Sequence, residues 1–228
     1  MKRVWNKGLT KETNSSVMKI SQTMRFKEID NFKIWRNKLI REGKFDLATI
    51  SGNKLTAELV GVILGDGNIT AYPRCERLII SSHSNADKFI QRYSKIVKRT
   101  FNKKPAIQKT NRNCIRISLY QRDISKRLLI PSGSRRNLDN LIPGWIRQDK
   151  KYIVACLKGL FEAEASLSIH LPTYTYNFQF TNCNQSLLDF VKTSLENLGY
   201  HPEIRRTAIR LRKKYEVLSF KKLIKFRE

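Results

Sequence analysis

Acidic residues are scarce in this 228-residue chain: 19 Asp+Glu stand against 45 Lys+Arg, a formal charge of +26. The pI is near 10.2. An imbalance of that size makes a compact state repel itself, so a polyanionic partner is the natural explanation. Nucleic acid leads, because each phosphate neutralised releases a condensed counterion. Long hydrophobic runs are also missing. No stretch approaches the roughly 18 apolar residues of a transmembrane helix. No basic amphipathic segment adjoins a hydrophobic anchor, which argues against a membrane surface as the partner. The opening residues, MKRVWNKGLTKETN, are basic without an apolar centre. A secretory signal is therefore not expected, and an intracellular location is: bacterial or phage-host cytoplasm, or an organelle. Cysteines are few and isolated, at 75, 114, 156 and 183. With no CxxC or Cys/His cluster, a structural zinc site is not expected and reduced thiols are.

What is present is enough apolar residue, 40%, to bury one large core or two modest ones. Residues 1–52 read as a basic extension; positions 1–50 alone carry 12 Lys+Arg against 5 Asp+Glu, a net +7. Within it, Thr13–Ser21 and Phe26–Arg41 are expected to form short helices, with Phe32, Trp35 and Leu39 on one face of the second. After Ser51-Gly52-Asn53 the composition changes sharply, and one pattern occurs twice. The first copy, 53–130, reads as a helix over Thr56–Asp66, strands near Ile69–Tyr72 and Arg77–Ser82, and a helix over Asn85–Phe101. Strands near Ala106–Thr110 and Cys114–Tyr120 and a short helix over Arg122–Leu129 complete it. The second copy, 151–228, reads as a helix over Lys151–Glu164, strands Ser166–Leu171 and Tyr176–Asn182, and a helix over Ser186–Leu198 with Gly199 as its cap. Strands Glu203–Thr207 and Ala208–Leu211 and a final helix from Tyr215 follow. Residues 131–150, with PSGSRRNLDNLIPGWIRQD, read as a linker. The expected fold class is α+β, two αββαββα repeats. In Cys114–Tyr120, Ile115, Ile117 and Leu119 share one face and Arg116, Ser118 and Tyr120 the other; Ala208–Arg212 repeats this with Arg210 and Arg212. A half-buried strand with a basic, hydrogen-bonding outer face suits DNA.

The first helices of the two copies align without gaps: Leu59-Val-Gly-Val-Ile-Leu-Gly-Asp-Gly67 against Leu157-Lys-Gly-Leu-Phe-Glu-Ala-Glu-Ala165. Gly61 matches Gly159, Gly65 matches Ala163, and Asp66 matches Glu164. Glycine inside a helix costs about 1 kcal/mol relative to alanine, so two at equivalent places need a packing reason. Small residues four apart let two helix backbones approach closely. Packed through those faces, the helices bring Asp66 and Glu164 side by side at their C-terminal ends. Carboxylates in a basic groove repel phosphate unless a cation bridges them, and Mg²⁺ takes one or two carboxylates together with phosphate and water. Metal ions both activate a water and stabilise a leaving oxygen in phosphodiester hydrolysis.

Both segments resemble the LAGLIDADG motif, and the repeat resembles the αββαββα unit of that homing endonuclease family. The resemblance covers about residues 55–228. It implies a DNA-binding saddle of two pseudo-symmetric repeats, with the motif helices at their interface and the sheets in the major groove. It implies that Asp66 and Glu164 hold Mg²⁺ beside the scissile phosphates, with Mn²⁺ or Ca²⁺ as substitute ions and the carbonyls of Gly65 and Ala163 as further ligands. A lysine near the end of the last strand is a usual helper, and Lys213 fits that place. Leu64 stands at the motif's first acid, and Ala165 replaces the closing glycine, where a tight turn is usual. Val4–Thr13 resembles the modular DNA-binding elements appended to such nucleases. Expected DNA contacts are Trp5, Asn6, Lys7 and Lys11 in that element. In the repeats they are Arg74, Arg77, Arg116, Ser118, Tyr120, His170, Gln179, Arg210 and Arg212. The implied protein is a monomer cutting a long, non-palindromic duplex site and promoting mobility of its host intron or intein. An RNA maturase acting on intron RNA, or a non-cleaving DNA binder, uses the same scaffold. A basic ribosome-associated protein would explain the charge but not the paired acids.

Overall fold

The computed structural model describes residues 6–27, 29, 32–42, 50–110 and 113–227. The chain divides into two compact units, Met1–Leu47 and Ala48–Glu228. The first holds α1 (Ser15–Phe26) and α2 (Lys33–Arg41). Asn14 caps α1, its side-chain oxygen accepting from the backbone N–H of Ser16 (3.0 Å) and Val17 (3.1 Å). This capping sets the helix two residues later than the expected start at Thr13, and the helix runs on to Phe26. None of this unit's described residues is buried; Phe32 and Trp35 remain 66% and 56% exposed.

The second unit runs α3 (Lys54–Asp66), β1 (Gly67–Tyr72), β2 (Cys75–His83), α4 (Asp87–Phe101), β3 (Ala106–Lys109), β4 (Cys114–Gln121) and α5 (Ile124–Leu128). A short α6 (Gly144–Arg147) lies in the connection. There follow α7 (Lys150–Glu164), β5 (Ala165–His170), β6 (Thr175–Thr181), α8 (Gln185–Asn197), β7 (Glu203–Arg205), β8 (Ala208–Leu211) and α9 (Lys214–Ile224). Two four-stranded antiparallel sheets result, β1-β2-β4-β3 and β5-β6-β8-β7, with one strand order. The αββαββα pattern thus occurs twice. The motif helices begin earlier than apolar periodicity implies, because Asn53 and Asp149 cap them, accepting from Thr56 N–H (2.9 Å) and Lys151 N–H (2.8 Å). No described helix is long and apolar enough to cross a membrane.

The two repeats meet through α3 and α7 at backbone distance. A methyl group built on Gly61 would lie 2.2 Å from the Cys156 carbonyl oxygen, and one on Gly159 would lie 2.1 Å from that of Glu58. Ala57, Leu59, Val60 and Ile63 of α3 and Leu157, Leu160 and Phe161 of α7 are all buried. Behind α7, Phe161 meets Phe178 (5.0 Å) and Phe220 (4.9 Å) edge to face, a geometry that adds to simple area burial. The interface also buries charge on one side only. Glu58 takes a forked pair of hydrogen bonds from Arg92 (2.5 and 2.7 Å). Lys158 donates to the carbonyls of Ile224 (3.0 Å) and Lys225, closing α9, and pairs with Glu162 at 3.6 Å. In the gapless alignment Cys156, Val60 and Leu64 occupy the places matching Glu58, Lys158 and Glu162, so the network distinguishes the two repeats.

Candidate active site

Each motif helix ends by turning directly into a strand. Gly67 (φ −94°, ψ 159°) and Ala165 (φ −98°, ψ 150°) are both extended, each donating back to the fourth residue before it, Ile63 and Phe161. The turn needs no positive φ, so alanine serves at 165. Gly67 is required for space instead, since a methyl there would lie 2.5 Å from the Ile63 Cα.

The acids on these helix ends are distributed crosswise. Asp66 of α3 lines a groove with Ala163 of α7, together with Ser82, Arg92 and Arg227. Glu164 of α7 lines a second groove with Gly65 of α3, together with Asn68, Arg135 and Asn182. Near Gly65 the helices almost touch: a methyl there would sit 2.6 Å from the Ala163 Cβ and 3.0 Å from the Glu164 Cγ. Each groove therefore offers a carboxylate from one repeat and a helix-end residue from the other, whose carbonyl lies in the last turn where intrahelical partners run out.

Burial raises the Asp66 carboxyl above its ordinary range. Burial also raises Glu164, the Asp66 charge raises it further, and a hydrogen bond from Asn182 Nδ2 to Oε1 (3.2 Å) partly offsets both. Asp66 has neither a hydrogen-bond nor an ion-pair partner for its side chain among the described residues. Two neighbouring carboxylates, Asp66 exposed and Glu164 partly buried, together with helix-end carbonyls form a hard-oxygen donor set, which suits Mg²⁺ or a similar divalent ion. No group of three or more His, Cys, Asp or Glu converges among the described residues, so such an ion would draw its other ligands from carbonyls, water or phosphate.

Cations reach both grooves from segments that sequence reasoning passed over. Arg135, in the connection, donates through Nη2 to the carbonyls of Ile63 (2.8 Å) and Gly67 (2.6 Å). Its Nη1 is buried with no hydrogen-bond partner. Arg227, after α9, donates through Nη2 to the Ala165 carbonyl (3.3 Å), the counterpart of Gly67. Each repeat thus returns an arginine to the end of its own motif helix from the segment after its last helix. Asn182 and Asn184 organise the second groove. Asn182 accepts from the Asn184 N–H (2.8 Å). Asn184, buried, donates to the carbonyls of Arg135 (2.8 Å), Arg136 (3.1 Å) and Leu138 (2.9 Å) while its Oδ1 caps α8. Lys213 lines neither groove. It pairs at 3.4 Å with Glu216, a buried carboxylate that also accepts from His201 and Tyr215.

The expected DNA contacts are spread over several elements. Arg77, Arg116 and Tyr120 alternate with buried Leu78, Ile117 and Leu119 and so face away from the core. Ser118 shares that face by register but is only 6% exposed. It stands between Ile79 and Ala106 on the neighbouring strands, which overshadow so short a side chain. Arg74 is exposed in the β1–β2 turn. In the second sheet Gln179 is opposite Arg210 and bonds to Thr181 Oγ1 (2.8 Å). His170 is exposed and shares a hydrogen bond with Thr173 Oγ1 (2.7 Å), and Arg212 lies 3.7 Å from Glu203. Asn6, Lys7 and Lys11 are exposed in the first unit; Trp5 lies outside the described residues.

The architecture is shared with solved structures. It is similar to mesophilic variants of the homing endonuclease I-DmoI, with a TM-score of 0.55 and 18% identity, covering 75% of this chain and 94% of that one. A structure of I-DmoI in complex with DNA and Mn gives a TM-score of 0.55 and 18% identity, covering 75% and 96%. The N-terminal LAGLIDADG domain of DUF199/WhiA gives 0.52 and 19%, covering 76% and 82%. No protein-family profile and no curated protein matches the sequence. The chain has the LAGLIDADG fold.

Proposed function

We propose that this chain is a monomeric, divalent-metal-dependent endonuclease that hydrolyses both strands of a long, non-palindromic duplex site and so promotes mobility of a host intron or intein. The observation that carries this reading is the crossed pair of grooves, each combining a carboxylate of one repeat with a helix-end residue of the opposite repeat and an arginine anchored on that opposite repeat's motif-helix end. A protein that only bound DNA would gain nothing from two carboxylates facing phosphate.

In this reading Asp66 and Glu164 hold the ion, with the carbonyls of Ala163 and Gly65 as further oxygen ligands. A bound divalent ion supplies Lewis-acid stabilisation of phosphate charge and a more acidic water. Arg135, its Nη1 buried and its Nη2 on the Ile63 and Gly67 carbonyls, adds positive charge beside the second groove, and Asn182 orients the Glu164 carboxylate. Arg227 takes the corresponding place in the first groove. Lys213, tied to Glu216, has no part in this assignment. The outward faces of the two sheets read bases in the major groove, and the basic first unit adds phosphate contacts that extend the site.

The experiment is cleavage of a randomised duplex library by the full chain. In Mg²⁺ a small subset of sequences should be cut on both strands, and in EDTA none. Uncut DNA in Mg²⁺, or degradation regardless of sequence, would contradict the proposal.

A further inference from the structure

Arg77 of β2 stands directly opposite Tyr120 of β4, with Tyr72 at the end of β1 beside them. Its guanidinium carbon lies 5.5 Å from the Tyr72 ring centre and 5.9 Å from that of Tyr120, and its Nη1 donates to the Tyr120 hydroxyl at 3.5 Å. The rings are themselves 6.2 Å apart, and both tyrosines are nearly half exposed. The adjacent acid, Glu76, is turned away, accepting from the Ser125 N–H (2.7 Å) and hydroxyl (2.5 Å). Arg77 therefore carries a full positive charge with no acid paired to it among the described residues, on an outward sheet face, its fork beside two aromatic neighbours.

From this arrangement we infer that Arg77 is a specificity-determining residue that reads a guanine in one half of the target site. An arginine fork matches the O6 and N7 acceptors of guanine in the major groove, a pattern no other base presents. Contact with the two rings beside it and with the Tyr120 hydroxyl limits the rotamer freedom that a free arginine would lose on binding. The reading of the sheets as major-groove elements is the one proposed above, and this inference rests on it. The location follows from register. Arg77 is three residues before Ile80, which lies opposite Gly67 at the end of the motif helix. Three strand residues span ~10 Å, about three base pairs outward from the cutting centre at ~3.4 Å each. On the second sheet Phe180 lies opposite Ala165, so the matching place is Asn177. The guanine requirement is thus confined to the half-site under the first repeat.

The test is selection of bound duplexes by the full chain, wild type against Arg77→Lys, followed by binding of the chosen duplex with 7-deazaguanine at the assigned position. The lysine keeps the charge and loses the fork. The wild type should fix a guanine about three base pairs from the centre on one side only. Arg77→Lys should lose that preference about ten- to a hundredfold, with other positions and the salt dependence unchanged. Removing N7 should weaken the wild type about tenfold and the variant little. If Arg77→Lys selects the same guanine, or the wild type ignores the loss of N7, the assignment is wrong while the nuclease reading stands. If the wild type enriches no sequence at all, the nuclease reading fails and takes this assignment with it.

Discussion

Gly159→Ala is expected to destabilise the second unit by about 3 kcal/mol or more, a large share of a typical 5–15 kcal/mol total. The added methyl would lie 2.1 Å from the Glu58 carbonyl oxygen, 2.7 Å from the Val62 nitrogen and 3.0 Å from the Gly61 Cα. All three are backbone atoms of the opposing helix, so no rotamer change relieves the clash and the helices must separate. Separation opens the packing of Leu59, Ile63 and Leu160 and loosens the Glu58–Arg92 pair. On helix propensity alone the change should help by about 1 kcal/mol, so a large loss isolates the packing effect. Gly65→Ala should cost less, because its nearest clash is with the Ala163 side chain at the helix ends, where the chains can splay. Equilibrium urea denaturation measures both. A Gly159→Ala variant within about 1 kcal/mol of wild type would mean that the motif helices do not meet at backbone distance.

Asp66→Asn and Glu164→Gln should each abolish double-strand cleavage, by on the order of a thousandfold or more, while specific binding in the same buffer stays near wild type. Each amide retains shape and loses the charge that holds the ion in the proposed site. The same substitutions should raise stability in EDTA at neutral pH. Both carboxyls titrate above their ordinary range in the folded chain. Ionised, they therefore cost native-state stability; the cost disappears as pH falls through the raised folded values and is absent below the unfolded ones. Thermal unfolding in EDTA and cleavage in Mg²⁺ should move in opposite directions for each variant. Full-rate cutting by either variant would remove that residue from the site.

The repeat was legible because its helical stripes and strand alternation recur in one order, and because paired glycines at matching helix positions have few explanations other than close packing. The placing of Asp66 and Glu164 at the paired helix ends was legible for the same reason. Arg135 was not, since it sits in a Pro/Gly/Ser-containing connection whose composition reads as spacer. Its placement depends on Asn184 gripping three carbonyls of that connection, a contact 46 to 49 residues away in sequence. Looking for a cation at the end of the last strand led to Lys213; the usable regularity was an arginine after the last helix of each repeat, Arg135 and Arg227. The crossed grooves arise only when the helix ends meet, so sequence order cannot express them. Alternation put Ser118 on the outward face, where the side chains beside it decide its exposure.

The most direct test of one chain with two carboxylate sites is single-turnover cleavage of a selected duplex in Mg²⁺, titrated with protein and followed on both strands. The account predicts that one chain per duplex suffices to cut both strands, and that EDTA stops both cuts. A requirement for two chains per duplex, or cutting that persists in EDTA, would contradict it.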